Sequence, residues 1–353
     1  MDFNPSSVAR VCVRSPNWLG DAVMSLPAIR AIRNTLPHAQ LALVARPGLA
    51  DLFSREGAVD RVIPYPAPRN LAARRAFASQ LREERFDCAI LLQNAFDAAL
   101  IAWLAGIPER IGYGRDGRGR LLTRAIPVPE PGDIPRHERF YYLELLRRAG
   151  IIDRFPPCES IVLENVETAR RSGAEHLAAL GIAEPVIGIS PGAAYGNAKR
   201  WMSERFAECG RALAPADGTV LVLGASAERE LAETVARGIP GARNLAGETT
   251  LGEFIDLVAC CRLFLCNDSG AMHVASALGV PTVAVFGATD DVTTGPTGSN
   301  AVVVREHAEC SPCLLRECPI DHRCMTRVTA ERVIEAAGKL CAGAVISGSP
   351  INR

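Results

Sequence analysis

Short apolar runs alternate with longer stretches of helical periodicity along most of the chain. In the first half VARVCVRS, LALVA, RVIPY and DCAILLQ each read as a β-strand, and each is followed by a helix-length segment. This βαβ rhythm predicts a parallel sheet with helices on both faces and ligands at the carboxyl ends of the strands. After an amphipathic stretch from about Thr168 to Leu180 the rhythm restarts with VIGIS, TVLVLG, LFLCN and TVAVFG, which predicts a second doubly wound domain. The boundary is expected within 153–184, where Phe155-Pro156-Pro157 and Glu184-Pro185 interrupt both patterns. The expected domains therefore span 1–165 and 183–330, followed by a closing helix and a frayed tail over 331–353. No internal repeat or low-complexity segment stands out.

At 353 residues and 48% hydrophobic, the chain can build two cores rather than one. It contains no run of about 18 uncharged apolar residues, and MDFNPSSVARVCVRS lacks the pattern of a signal peptide, so a cytosolic protein is expected. Its twelve cysteines then read mostly as thiols; Cys12, Cys88, Cys260, Cys261 and Cys266 lie in apolar runs, where a thiol packs like a small hydrophobe. A formal charge of zero conceals an asymmetry: residues 1–150 hold 21 Arg and 15 acidic residues, a net +6, which the remainder balances. An anionic partner for the front half and two ordinary solvated surfaces are both consistent with that split.

Three loops carry candidate chemistry. The first strand leads into Ser15-Pro16-Asn17-Trp18-Leu19-Gly20-Asp21, where Gly20 allows a ligand close to the backbone and Asp21 stands at a helix N-terminus. A carboxylate there serves either as a helix cap or as a general base taking a proton from a sugar hydroxyl. Pro27 implies that this helix is short, kinked or late to start. In the second half, Ser190-Pro191-Gly192 opens a loop of small residues that reaches Lys199-Arg200-Trp201. Lys199 and Lys339 are the only lysines among 39 basic residues, so a compact ammonium beside a diphosphate is one reading and a solvated cationic loop the other.

The third loop is Cys266-Asn267-Asp268-Ser269-Gly270-Ala271-Met272-His273, where a strand turns at once into a helix. The N–H groups of Gly270, Ala271 and Met272 can meet phosphate oxygens, Asp268 can accept from sugar hydroxyls, and His273 follows one turn in. Helix capping by Asp268 or Ser269, with His273 as a core residue, is the structural alternative. Gly287-Ala288-Thr289-Asp290-Asp291 is expected beside this loop, and Glu228 either holds a ribose or begins a helix. Neither a G-x-x-x-x-G-K-[ST] motif nor a G-x-G-x-x-G after the first strand is present, which disfavours a Walker-type NTPase and a dinucleotide fold.

Taken in order, PNWLGDAVMSLPAIRAI, PGAAYGNAKRW, CNDSGAMHVASALGVPTVAVFGATD and CSPCLLRECPIDHRCM resemble the ADP-heptose:lipopolysaccharide heptosyltransferase family over nearly the whole chain. The resemblance implies a GT-B fold, two Rossmann-like domains facing across a cleft, with acceptor on the first, ADP-heptose on the second, and inversion at the anomeric carbon. It matches Asp21 to the catalytic aspartate, Lys199 to the phosphate-binding lysine, and Asp268, Ser269, Gly270 and His273 to the donor loop. Met202 stands where the family pattern has proline. The implied acceptor is the anionic lipopolysaccharide inner core at the inner face of the inner membrane, with Asn17, Trp18, Arg110, Arg115, Arg118 and Arg120 as candidate contacts and Arg124 nearby. Each of these arginines also reads as a solvated loop charge. Addition of the second heptose to heptosyl-Kdo2-lipid A is the expected step. Addition of the first or third heptose, another nucleotide-sugar donor, and a non-catalytic zinc-containing nucleotide-binding regulator are the alternatives. No nucleic acid is expected as a partner.

Cys310, Cys313, Cys318 and Cys324 supply the number of ligands of a structural zinc site, though without the usual paired C-x2-C spacing. Free thiols and reversible disulfides compete with zinc here. The chemistry implied by the resemblance needs no metal cofactor.

Overall fold

The computed structural model describes residues 3–346. Contacts divide the chain into two compact units, 1–158 and 159–353. The first contains β1 (Arg10–Arg14), β2 (Gln40–Ala45), β3 (Arg61–Pro64), β4 (Cys88–Leu91), β5 (Glu109–Tyr113) and β6 (Arg124–Ile126). The second contains β7 (Val186–Ser190), β8 (Thr219–Val222), β9 (Arg243–Asn244), β10 (Cys261–Asn267), β11 (Thr282–Phe286) and β12 (Ala301–Arg305). The eight strands expected from apolar runs are all present. β5, β6, β9 and β12 were missed because they are edge or near-edge strands, only partly apolar and partly covered.

Both sheets are parallel throughout. The first is ordered β3-β2-β1-β4-β5-β6 and the second β12-β11-β10-β7-β8-β9. Read from its other edge, the second order is β9-β8-β7-β10-β11-β12, so both units share one topology although no sequence repeat announces it. This doubly wound order reverses direction between the first and fourth strands of each unit, and the crevice outside their carboxyl ends is where such sheets bind ligands. The loops after β1, β7 and β10 therefore open at the two switch points.

Helices on both faces explain why the central strands are apolar without alternation: β4 is buried at every position, and Ile189, Leu265 and Val283 are fully enclosed. In the first unit Phe77, Leu81, Ile101 and Ile107 pack on one face of the sheet. In the second, Trp201, Phe206, Val235 and Val333 do so. Burying each such side chain contributes roughly 1.5–3 kcal/mol. The helix Val166–Ala179 packs against Leu251–Ala259, and the helix Ala330–Ile346 packs against Ser203–Leu213 and β12, so both belong with the second unit. Among the described residues no helix is long and apolar enough to cross a membrane.

Candidate functional site

The first candidate loop is shaped by a residue that sequence reasoning passed over. Arg14 ends β1 and is buried. Its guanidinium donates to Ser15 O at 2.7 Å, Val44 O at 3.2 Å and Asn17 Oδ1 at 2.8 Å. It also lies over the Tyr65 ring, 4.1 Å from the centroid. Burial draws the Arg14 pKa down to about 10, with the neighbouring Tyr65 and Cys12 opposing. A buried cation is tolerated when its donors are satisfied, and here they fix the path of residues 15–17. The available signal was a charge closing an apolar strand.

Trp18 is the N-cap of the helix Leu19–Met24 and is 52% exposed. The Trp18 side chain makes no capping bond, and Asp21 lies in the first turn rather than at the N-cap position. The capping alternative is thus not adopted, while the helix dipole still favours a carboxylate there. A break at Ser25 starts a second helix, Leu26–Thr35, with Pro27 in its opening turn, so the first helix is short, one of the forms Pro27 implied.

Glu138 and Tyr142 surround Asp21 electrostatically within the same unit. Glu138, at the N-cap of Arg139–Arg148, has its carboxyl pushed up to about 7, first by burial and then by the Asp21 charge, with Arg115 opposing. The buried Tyr142 hydroxyl is pushed up by burial and then by Asp21 and Glu138. No motif flagged Glu138. Because its folded-state pKa is raised, the folded protein holds the proton more tightly than the unfolded chain, so this group costs stability as pH rises from about 4.5 to about 7. Glu138→Gln is therefore expected to raise the melting temperature at pH 8, by about 1–3 kcal/mol of stability, and to change it little at pH 4.5. Melting curves at both values check this; an equal shift at each pH would contradict it.

The arginines of the first unit have different fates. Arg118 is fully buried and donates to Tyr113 O at 2.8 Å, to Asn94 Oδ1 at 2.8 Å and to Gln93 O, which makes it a brace inside the fold rather than an accessible contact. Arg110 is likewise spent on the carbonyls of Leu121, Ile107 and Pro108. Arg124 pairs with Glu109 at 3.3 Å. Arg115 and Arg120 are exposed; Arg115 also reaches the Tyr141 hydroxyl, which accepts from Asn94 Nδ2 at 2.7 Å.

In the second unit the loops after β7 and β10 meet. Lys199 Nζ lies 2.6 Å from Asp268 Oδ2, with side-chain exposures of 13% and 4%. The buried Thr289 donates its hydroxyl to the same carboxylate oxygen. The fully buried Asn267 ties the loops together, accepting from Trp201 N at 3.0 Å and donating to Pro191 O at 2.7 Å. Thr289 and Asn267 are not among the expected contacts, although they lie within Gly287-Ala288-Thr289-Asp290-Asp291 and Cys266-Asn267-Asp268-Ser269.

The helix Gly270–Ala277 begins at Ser269, whose side chain makes no capping bond and whose Oγ is buried with no partner. Asp268 is committed to Lys199 and Thr289, so neither candidate takes the capping role. The first-turn N–H groups at Gly270, Ala271 and Met272 thus form an uncapped, electropositive helix start. His273 is buried in that turn and Ser190 is buried at the end of β7. Glu228 accepts from Ala225 N at 2.9 Å, and a Cβ on Gly192 would fall 2.0 Å from its Oε1, so only glycine admits the Glu228 carboxylate to this edge. Asp290 caps the turn Asp291–Thr294, and Asp291 pairs with Arg305.

Cys310, Cys313, Cys318 and Cys324 line one small cavity together with His322, Ala198 and Ala288. All four are free thiols, and Cys324 is pushed up by burial and then by the other three. No group of three or more His, Cys, Asp or Glu side chains among the described residues has an arrangement that would hold a metal ion.

The glycosyltransferase family 9 (heptosyltransferase) model matches residues 74–323. The chain is 32% identical over 307 residues to lipopolysaccharide heptosyltransferase 2 of Escherichia coli K12, covering 84% of this chain and 88% of that one. Its structure resembles that of the E. coli ADP-heptose lipopolysaccharide heptosyltransferase II, with a TM-score of 0.81 and 29% identity over 95% of this chain and 99% of the other. A family 9 glycosyltransferase of Veillonella parvula has the same fold, with a TM-score of 0.80 and 22% identity over 95% and 97% of the two chains. These likenesses give the α/β architecture its class, GT-B, and establish an enzyme rather than a non-catalytic regulator: the chain belongs to glycosyltransferase family 9, the heptosyltransferases.

Proposed function

We propose that this enzyme transfers heptose from ADP-heptose to the inner core of lipopolysaccharide, adding the second heptose to heptosyl-Kdo2-lipid A. The observation that carries the donor half is the buried Lys199–Asp268 pair beside the uncapped start of Gly270–Ala277. Lys199 and the free N–H groups offer positive charge to a diphosphate, the buried Ser269 hydroxyl has a hydrogen bond to give, and Glu228 stands ready for hydroxyl donors. The names of relatives similar to this chain, lipopolysaccharide heptosyltransferase 2, supply the sugar and the acceptor.

In the proposed reaction Asp21 takes the proton of an acceptor heptose hydroxyl. That oxygen bonds to the anomeric carbon as the bond to ADP breaks, and the configuration inverts. Lys199 and the helix start stabilise the departing charge. Asn17, Trp18, Arg115 and Arg120 are the proposed acceptor contacts, and the net positive charge of residues 1–150 suits an anionic glycolipid at the cytoplasmic membrane surface. Zinc has no step in this scheme. In the cysteine cavity it would serve only as a structural brace.

Thermal shift with ADP, UDP and GDP tests the donor assignment. ADP at about a hundred times its Kd is expected to stabilise by about 2.7 kcal/mol, a rise of about 5 °C or more, with smaller effects from the others. A larger rise with UDP or GDP would reassign the base.

A further inference from the structure

The cysteine-bearing segment is laced onto the two loops that carry Lys199 and Thr289. Leu314 N donates to Ala288 O at 2.9 Å, and Ala198 N donates to Arg316 O at 3.0 Å. The Tyr195 hydroxyl donates to Leu314 O at 2.9 Å, and His322 Nε2 meets Ala198 O at 2.9 Å. A Cβ at Gly196 would stand 2.1 Å from Arg316 O, so glycine is what lets the two strands of chain approach this closely. Segment 310–324 is therefore part of the wall of the proposed donor site, not a separate appendage.

These bonds deliver one charged side chain to a particular place. Arg316 Cζ lies 5.2 Å from the centroid of the Tyr195 ring, and Lys199 Nζ lies 4.9 Å from the same centroid. Two cations thus share one aromatic ring. Lys199 has Asp268 as its counter-charge, whereas Arg316 has no ion pair among the described residues and is exposed. The ring holds the exposed Arg316 by only about 0.5–1 kcal/mol, and repulsion from the Lys199 cation works against that. Such a pair becomes favourable when an anion completes it. A guanidinium presents its planar fork to two phosphate oxygens at once, which a lysine cannot do.

We propose that Arg316, positioned by Tyr195, is a second ligand for the donor diphosphate, taking the oxygens that Lys199, engaged with Asp268, leaves uncovered. The inference rests on the nucleotide-sugar reading above and names a contact that reading does not include. Calorimetric titration of ADP and adenosine into wild type, Arg316→Ala, Arg316→Lys and Tyr195→Leu tests it. Arg316→Ala is expected to weaken ADP binding by about tenfold or more while leaving adenosine within twofold. Arg316→Lys should recover part of the loss, and Tyr195→Leu should lose affinity through both cations. An unchanged melting temperature for the exposed Arg316 variants shows that folding is intact. Equal ADP affinity in Arg316→Ala and wild type, or equal losses for ADP and adenosine, would overturn the assignment. If wild type prefers another nucleoside diphosphate, the base assignment fails and the same comparison with that nucleotide decides Arg316. Failure of wild type to bind any of the three overturns both.

Discussion

Asp21→Asn is expected to lower kcat by about 10²–10⁴-fold, the usual contribution of a positioned general base, while ADP affinity stays within twofold. Asparagine keeps the shape and first-turn position of the side chain but cannot take a proton. Trp18, not Asp21, is the N-cap residue of Leu19–Met24, and asparagine can accept the same hydrogen bonds as aspartate, so loss of a cap does not account for the effect. The variant carries an internal control. Removing the Asp21 charge removes one cause of the high Glu138 pKa, so Glu138 should titrate closer to its ordinary value and the protein should be slightly more stable at pH 8. Single-turnover rates with purified donor and acceptor, read beside melting curves, separate the two roles. A rate within tenfold of wild type would remove Asp21 from the chemistry, and a large loss of stability would make its role structural.

Lys199→Ala is expected to have the second large effect, divided between turnover and stability. Loss of one preorganised donor to a developing charge lowers kcat by about 10²–10³. The same change leaves Asp268 buried at 4% exposure with its ion partner gone, a defect of about 3–5 kcal/mol in proteins generally. The double variant Lys199→Ala with Asp268→Asn removes the stranded charge and should recover most of the melting temperature, while turnover stays low. Recovery of both properties would mean that Lys199 acts only as the partner of Asp268. Recovery of neither would place the damage in the packing of the two loops, through Thr289 and Asn267.

The two candidate loops of the second unit were legible because their chemistry is concentrated in short stretches directly after apolar strands. A lysine in a nearly lysine-free chain and an Asn-Asp-Ser-Gly turn before a helix are local signals. Glu138 and Arg316 were not legible. Each is an unremarkable charged residue in its own segment, and each acquires its environment from residues distant in the chain: Asp21 for Glu138, and Tyr195 with Lys199 for Arg316. Arg118 shows the converse. It looked like one member of an exposed cationic loop, but Gln93, Asn94 and Tyr113 enclose it and use up its donors.

The eight apolar strands, the parallel α/β class, and the loops that follow the first and fourth strands of the second unit were determined by the sequence itself, because hydrophobic period and turn chemistry act over a few residues. Strand order, the identical winding of the two units, the pairing of Lys199 with Asp268, and the division of the arginines between buried braces and exposed side chains were decided only by tertiary structure. The physical reason is that burial and charge pairing depend on which distant segments pack together, and a linear pattern does not carry that information.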